Sequence, residues 1–199
     1  MTAGPCSFRE GDLDFAFDAS WTLVSKWDDA ASYRKGVGQV EGTTAVDFIG
    51  LRADELFFLE VKDYRASERT PPTRQVLRDG GSNLVTVVAS KLRDSVAGIV
   101  GAGRLDRDSD TTTLLRHLAD TNTRVWAILW IEHAATLPGV KPRVQNLRNR
   151  ARGGVELDRL QAAVRWLGAR ALICSRDDRV HIDGLSVRST AGATRRTGH

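Results

Sequence analysis

Residues 45–62 decide how this chain folds. Ala45-Val46-Asp47-Phe48-Ile49-Gly50-Leu51 and Leu56-Phe57-Phe58-Leu59-Glu60-Val61-Lys62 are apolar, β-rich runs separated by Arg52-Ala53-Asp54-Glu55. Two such runs around a short polar link predict a β-hairpin. A turn centred on Ala53 and Asp54 sets residue 47 opposite residue 60. Directly opposed residues hold their Cβ atoms about 4.5–5.5 Å apart on one face. Glu60 and Lys62, two apart on one strand, share a face as well. Asp47, Glu60 and Lys62 are therefore expected to converge at one end of the hairpin. Both faces carry apolar residues, Phe48, Ile49, Phe58 and Leu59 among them. The hairpin is accordingly expected to lie between layers of helices.

Working outward, the polar, Pro-containing stretch from Asp63 to Gly81 reads as an exposed loop. Ser82 or Asn83 can cap a helix whose apolar side is Leu84, Val88, Leu92, Val96 and Ile99, with Gly101 and Gly103 expected to end it. A shorter helix is expected over Thr112 to Ala119. Arg124 to Glu132 (RVWAILWIE) reads as a strand buried on both faces, with Trp126 and Trp130 on one side. A helix over Glu156–Leu167, a strand over Ala171–Cys174 and a hairpin about Asp183-Gly184 (Val180–Val187) complete the chain. Upstream, residues 8–27 read as extended, and Asp28 or Asp29 is expected to cap a short helix through Tyr33 that stops at Gly36. The order hairpin, helix, strand, helix, strand predicts one α/β domain over residues 1–187. The tail from residue 188 to 199 is expected to be disordered.

The bulk properties agree with a single core. The chain has 199 residues, 41% hydrophobic and 27% charged, enough for one ordinary domain and too short for two. Its longest apolar run, Val125 to Ile131, is far below the roughly 20 residues of a membrane span. The first residues show no apolar signal region, which makes the cytoplasm the expected address. Cys6 and Cys174 are the only cysteines, too few for a disulfide framework or a cysteine zinc site. Charge is unevenly spread. Residues 1–133 carry 16 basic and 20 acidic side chains, whereas residues 134–199 carry 13 and 5. An acidic half suited to a cation is thus joined to a basic half suited to phosphate.

Two carboxylates held at cross-strand distance repel one another, and a shared proton, a cation or solvent must relieve the repulsion. Mg²⁺ suits such a place, because it takes oxygen ligands, needs few from protein and keeps several waters. A metal lowers the pKa of its bound water and neutralises charge building on a phosphoryl oxygen. An ammonium beside it can orient the attacking water or stabilise the phosphorane. Two acids and a lysine in this arrangement suit phosphodiester hydrolysis.

The residues that carry this chemistry also carry a family resemblance. Gly42-Thr-Thr-Ala-Val-Asp47-Phe-Ile-Gly-Leu51, followed by Phe58-Leu-Glu60-Val-Lys62, resembles the PD-(D/E)XK nuclease superfamily. The resemblance spans roughly residues 40–133. It implies a restriction-endonuclease-like αβββαβ core, a mixed central sheet flanked by helices, and Mg²⁺- or Mn²⁺-dependent cleavage of nucleic acid, DNA ahead of RNA. It gives Asp47, Glu60 and Lys62 the catalytic positions, with Asp47, Glu60 and the Val61 backbone carbonyl as metal ligands. Val46 departs from the pattern, standing where the family name has Pro. An acid-X-Lys triplet is common by chance, so its weight rests on the opposed Asp47 and the helix and strand that follow.

Supporting residues are less specific. Lys91, on the Leu84/Val88 side of its helix, is a candidate auxiliary group, and Glu41, Asp14 and Asp18 are candidate extra acids. Arg93 and the basic segment Lys141, Arg143, Arg148, Arg150 and Arg152 are candidates for phosphate contacts, with a solvated basic loop as the plain alternative. Gly36 to Thr44 lacks the lysine of a phosphate loop, and no Gly-x-Ser-x-Gly elbow is present. Competing readings are a catalytically silent nuclease-fold module that binds nucleic acid or protein, and a subunit active only in a larger assembly.

Overall fold

The computed structural model describes residues 4–65, 82–105, 108–133, 142–177 and 181–190, without the side chains of residues 82–83 and 142–152. The described residues form a mixed α/β structure around a five-stranded sheet. Strands β3 (Leu23–Lys26), β4 (Phe48–Arg52) and β5 (Glu55–Asp63) follow in turn, each antiparallel to the next. β6 (Arg124–Glu132) and β7 (Arg170–Cys174) continue the sheet parallel to β5, in the order β3-β4-β5-β6-β7. The hairpin register is the expected one, since Phe48 pairs with Leu59 and Arg52 with Glu55. Ala53, with φ 47°, makes its turn.

One face of the sheet is covered by helices. α1 (Ala31–Arg34), α2 (Ser82–Arg104), α3 (Ser109–Ala119) and α4 (Pro142–Val164) supply Tyr33, Val85, Val88, Leu92, Ile99, Leu114, Leu160 and Val164. These pack on Ile49, Leu51, Leu56, Phe58, Val125, Ala127, Leu129 and Ile131 of the sheet. The other face corrects the expectation of helices on both sides. A second sheet lies there, three antiparallel strands in the order β1 (Cys6–Glu10), β2 (Leu13–Phe17) and β8 (Leu185–Ser189). Phe15, Phe17 and Trp21 pack against Phe48, Phe57 and Trp130, with Phe15–Phe48 ring centroids 5.2 Å apart. Strands can cover this face because residues 13–17 alternate large apolar groups inward, which the sequence showed only faintly.

Several boundaries also differ. α2 runs through Gly101 and Gly103 rather than ending there. Gly103 serves close approach instead, because a Cβ on it would lie 2.8 Å from Leu115 Cβ of α3. α4 begins at Pro142, so the basic segment beyond Lys141 is helical backbone and not a loop. α1 starts after Ala30, and its capping residue makes no side-chain bond; neither Asp28 nor Asp29 caps it. The turn at Asp183-Gly184 exists, with Leu185 N–H donating to Ile182 O. The strand it opens pairs with β2, and Val180, where the expected hairpin begins, lies outside the described residues. That pairing draws Arg188 and Ser189, expected in the tail, into β8 opposite Asp14 and Leu13. No helix among the described residues is long and apolar enough to cross a membrane. Cys6 and Cys174 are not joined.

Candidate active site

The alternation that builds the core also places the charged groups. On β5, Leu56 and Phe58 face the helices, so Glu60 and Lys62 follow them onto that side. Asp47, just before β4, extends the row of Ile49 and Leu51. Helix α2 crosses above this end of the sheet and brings in Lys91. The result is a compact group. Lys62 Nζ lies 2.7 Å from Glu60 Oε1. Lys91 Nζ lies 2.8 Å from the same oxygen, 3.0 Å from Glu60 Oε2 and 3.9 Å from Asp47 Oδ1. Asp47 Oδ2 accepts from the Val61 N–H at 2.6 Å. Glu60 is fully buried and Asp47 nearly so.

Burial is the first cause of a raised Asp47 pKa, and the Glu60 charge is the second. Together they push it from 3.8 up to about 7, against the opposing Val61 N–H and Lys91.

Two acids complete the surroundings: Glu10, which the sequence did not single out, and Asp28, which was expected only as a helix cap. Glu10, at the end of β1, and Asp28, after β3, each bring a carboxylate oxygen within 4.8 Å of the other and of Asp47. Glu10 also pairs with Lys26 at 3.0 Å. Asp28 Oδ1 is buried with no hydrogen-bond partner among the described residues, and burial holds its carboxyl above the ordinary value. An orphaned carboxylate oxygen beside two other acids fits a hard cation, which would satisfy it and offset their repulsion. Asp28 was hidden because it follows an edge strand whose place depends on tertiary pairing. The Trp27 N–H bond to Asp47 O, at 2.8 Å, is what brings it alongside.

Other residues hold the approach to Asp47. Thr44 N–H donates to Asp94 Oδ2 and Val46 N–H to Ser95 Oγ, both at 3.0 Å, which ties residues 44–46 to α2. Arg93 is engaged with Asp94 at 2.8 Å, its side chain otherwise exposed. Glu41 is exposed and outside the acidic group. Asp18 accepts from Ser20, and Asp14 lies in β2 opposite Arg9. Lys141 and the side chains of Arg143, Arg148, Arg150 and Arg152 lie outside the described residues. A cleft of about 440 Å³ runs beside β3, lined by Phe8, Lys26, Asp29, Asp108 and Asp110 among others. Asp47, Glu60, Lys62 and Lys91 do not line it.

Comparison with known proteins adds one distant likeness. The chain is 28% identical over 137 residues to the Cysteine–tRNA ligase of Neisseria meningitidis serogroup A / serotype 4A (strain DSM 15465 / Z2491). The match covers 67% of this chain and 19% of that protein, so the chain spans about a fifth of the relative's length. No family model matches the chain. No solved structure matches it either.

Proposed function

We propose that this protein is a metal-dependent phosphodiesterase of the PD-(D/E)XK type, acting on DNA or RNA. The observation that carries the reading is the meeting of Asp47, Glu60, Lys62 and Lys91 on one face, with the Asp47 and Glu60 carboxylates spanned by a single ammonium. Part of the chain order supports it: the β4–β5 hairpin, then helices α2 and α3, then β6 parallel to β5, whereas α1 comes between β3 and β4, and strands β1 and β2 stand where the expected core opens with a helix.

In this reading Asp47 and Glu60 hold Mg²⁺ or Mn²⁺, with the Val61 carbonyl, and with Glu10 and Asp28 as further oxygen donors. When bound, such an ion activates water and neutralises charge on the phosphoryl group. Lys62 is the group with reach and exposure to serve the substrate. Its Nζ touches one carboxylate oxygen, and its side chain is 27% exposed, against 18% for Lys91. It orients the attacking water and donates to a nonbridging phosphate oxygen as negative charge accumulates there. Burial of Asp47 and Glu60 lowers the local dielectric and strengthens each of these interactions.

One observation favours the competing, non-catalytic reading. Glu60 already has two ammonium partners, so its buried charge is compensated within the protein. A cleavage assay with Mg²⁺, Mn²⁺ or EDTA, run beside Lys62→Ala, separates the two. The panel should hold duplex and single-stranded DNA, RNA and tRNA, the last because the distant relative is named a tRNA ligase. Metal-dependent cutting lost in Lys62→Ala supports the enzyme; binding without cutting supports the module.

A further inference from the structure

We infer that the Lys91 side chain is a tethered occupant of the cation position between Asp47 and Glu60, which a divalent ion must displace to engage both carboxylates. The inference rests on the metal-dependent reading above and concerns how that site is controlled. Both oxygens of Glu60 lie within 3.0 Å of Lys91 Nζ. Asp47 has one oxygen tied to the Val61 N–H, and its other, Oδ1, is the one facing Nζ at 3.9 Å. Asp47 Oδ1 and both Glu60 oxygens thus lie within 3.9 Å of one ammonium, with Glu60 Oε1 shared with Lys62. An Mg²⁺ ion coordinates oxygen at about 2.0–2.1 Å and would need the same volume. An ammonium and a dication cannot share it, because their charges repel at contact distance.

The fold lets the side chain leave while the backbone stays. Lys91 sits in the interior of the 23-residue helix α2, and that helix is fastened to residues 44–46 by Asp94 and Ser95. Displacement is therefore a rotamer change of one long side chain toward solvent. Lys62 remains on Glu60 Oε1 throughout, so the buried glutamate keeps one ammonium partner. Lys62 itself contacts Glu60 from one side and does not span to Asp47, which distinguishes the two lysines. Once displaced, Lys91 presents a positive charge at the border of the site, where a phosphate oxygen would gain from it.

Mn²⁺ titration calorimetry on the wild type, Lys91→Met and Asp47→Asn, each checked for folding by circular dichroism, tests this. Removing the competing ammonium should tighten Mn²⁺ binding by about tenfold in Lys91→Met, as expected when a charge-assisted contact no longer has to be broken. Equal or weaker affinity in a folded Lys91→Met protein overturns the inference. A second measurement keeps Lys91 in place, in case the Lys91→Met variant does not fold. Acetylation of lysines by an N-hydroxysuccinimide ester, read by mass spectrometry, should rise severalfold at Lys91 when Mn²⁺ replaces EDTA, and Asp47→Asn should abolish the rise. Unchanged labelling while Mn²⁺ binds overturns the displacement and leaves the metal reading standing. Absence of Mn²⁺ binding in both folded wild type and Lys91→Met overturns both.

Discussion

The Val61 N–H donates to Asp47 Oδ2 at 2.6 Å, joining the chain just before β4 to the middle of the acid-X-Lys triplet on β5. This bond fixes the carboxylate against the sheet, but it offsets only part of the cost of burying Asp47 beside Glu60. The folded-state pKa of Asp47 is near 7, above its ordinary 3.8, so between these values the native protein binds more protons than the unfolded chain. The metal-free protein should therefore be most stable below about pH 4 as far as Asp47 is concerned, and lose that contribution as pH rises to about 7. The full loss should be roughly 2–4 kcal/mol. Asp47→Asn keeps an acceptor for the Val61 N–H and cannot ionise. Its stability, measured by urea unfolding from pH 4 to pH 8, should lack this decline and exceed the wild type at pH 8. A wild-type profile parallel to that of Asp47→Asn would sink the assignment.

If Lys62 handles the water or the phosphate, its removal should act on turnover far more than on folding. Among the described residues its Nζ pairs with Glu60, and Lys91 keeps that acid paired when it is gone. Lys62→Ala should lower kcat by roughly 10²–10⁴-fold, the usual range for a proton-transfer group. Substrate affinity should change little. Rates from single-turnover cleavage, with binding measured in Ca²⁺, separate the two effects, and an active Lys62→Ala enzyme would remove Lys62 from the chemistry.

The local parts of this arrangement were legible in the sequence, and the non-local parts were not. The link at residues 52–55 fixes the β4–β5 register over a few residues, so the Phe48–Leu59 pairing, with Asp47 and Glu60 each one residue beyond it, could be read directly. Lys91 followed from helical spacing against Val88, which faces the sheet. Glu10 and Asp28 reach Asp47 only because β3 adds to the far edge of β4 and the β1–β2 hairpin folds over the other sheet face. No local periodicity encodes those pairings. The same blindness misread Gly103, whose small size serves the approach of α3 and not the end of α2.

The contact between Gly50 and Trp21 gives a prediction about the sheet. Gly50 sits in β4 opposite Val24, and a Cβ there would come within 2.5 Å of Trp21 Cζ3 and 2.8 Å of Cε3. Trp21 is 2% exposed and packs against Phe17 and Phe57, so its ring has little room to withdraw. Gly50→Ala should destabilise by about 1–3 kcal/mol, the typical cost of overpacking a core. Thermal or urea unfolding reads this directly, and a loss below about 0.5 kcal/mol, the scale of a neutral surface change, would show that the ring yields freely.

The basic stretch gives the last prediction. α4 begins at Pro142, so Arg148 and Arg150 belong to a helix rather than a loop. Two residues apart, they lie on different sides of it, about 200° around the axis at 3.6 residues per turn. A nucleic acid lying along one side would engage one of them closely, and one wrapping the helix would engage both. Each phosphate neutralised releases counterions, at about 0.9 in the slope of log K against log salt for duplex DNA. Arg148→Ala should reduce that slope by about 1 if it contacts phosphate, and the Arg148→Ala, Arg150→Ala pair by about 2 only if both do. Binding of a labelled duplex across a salt series, in Ca²⁺ to hold cleavage in check, distinguishes one contact from two. An unchanged slope in the double variant would take the segment out of the interface.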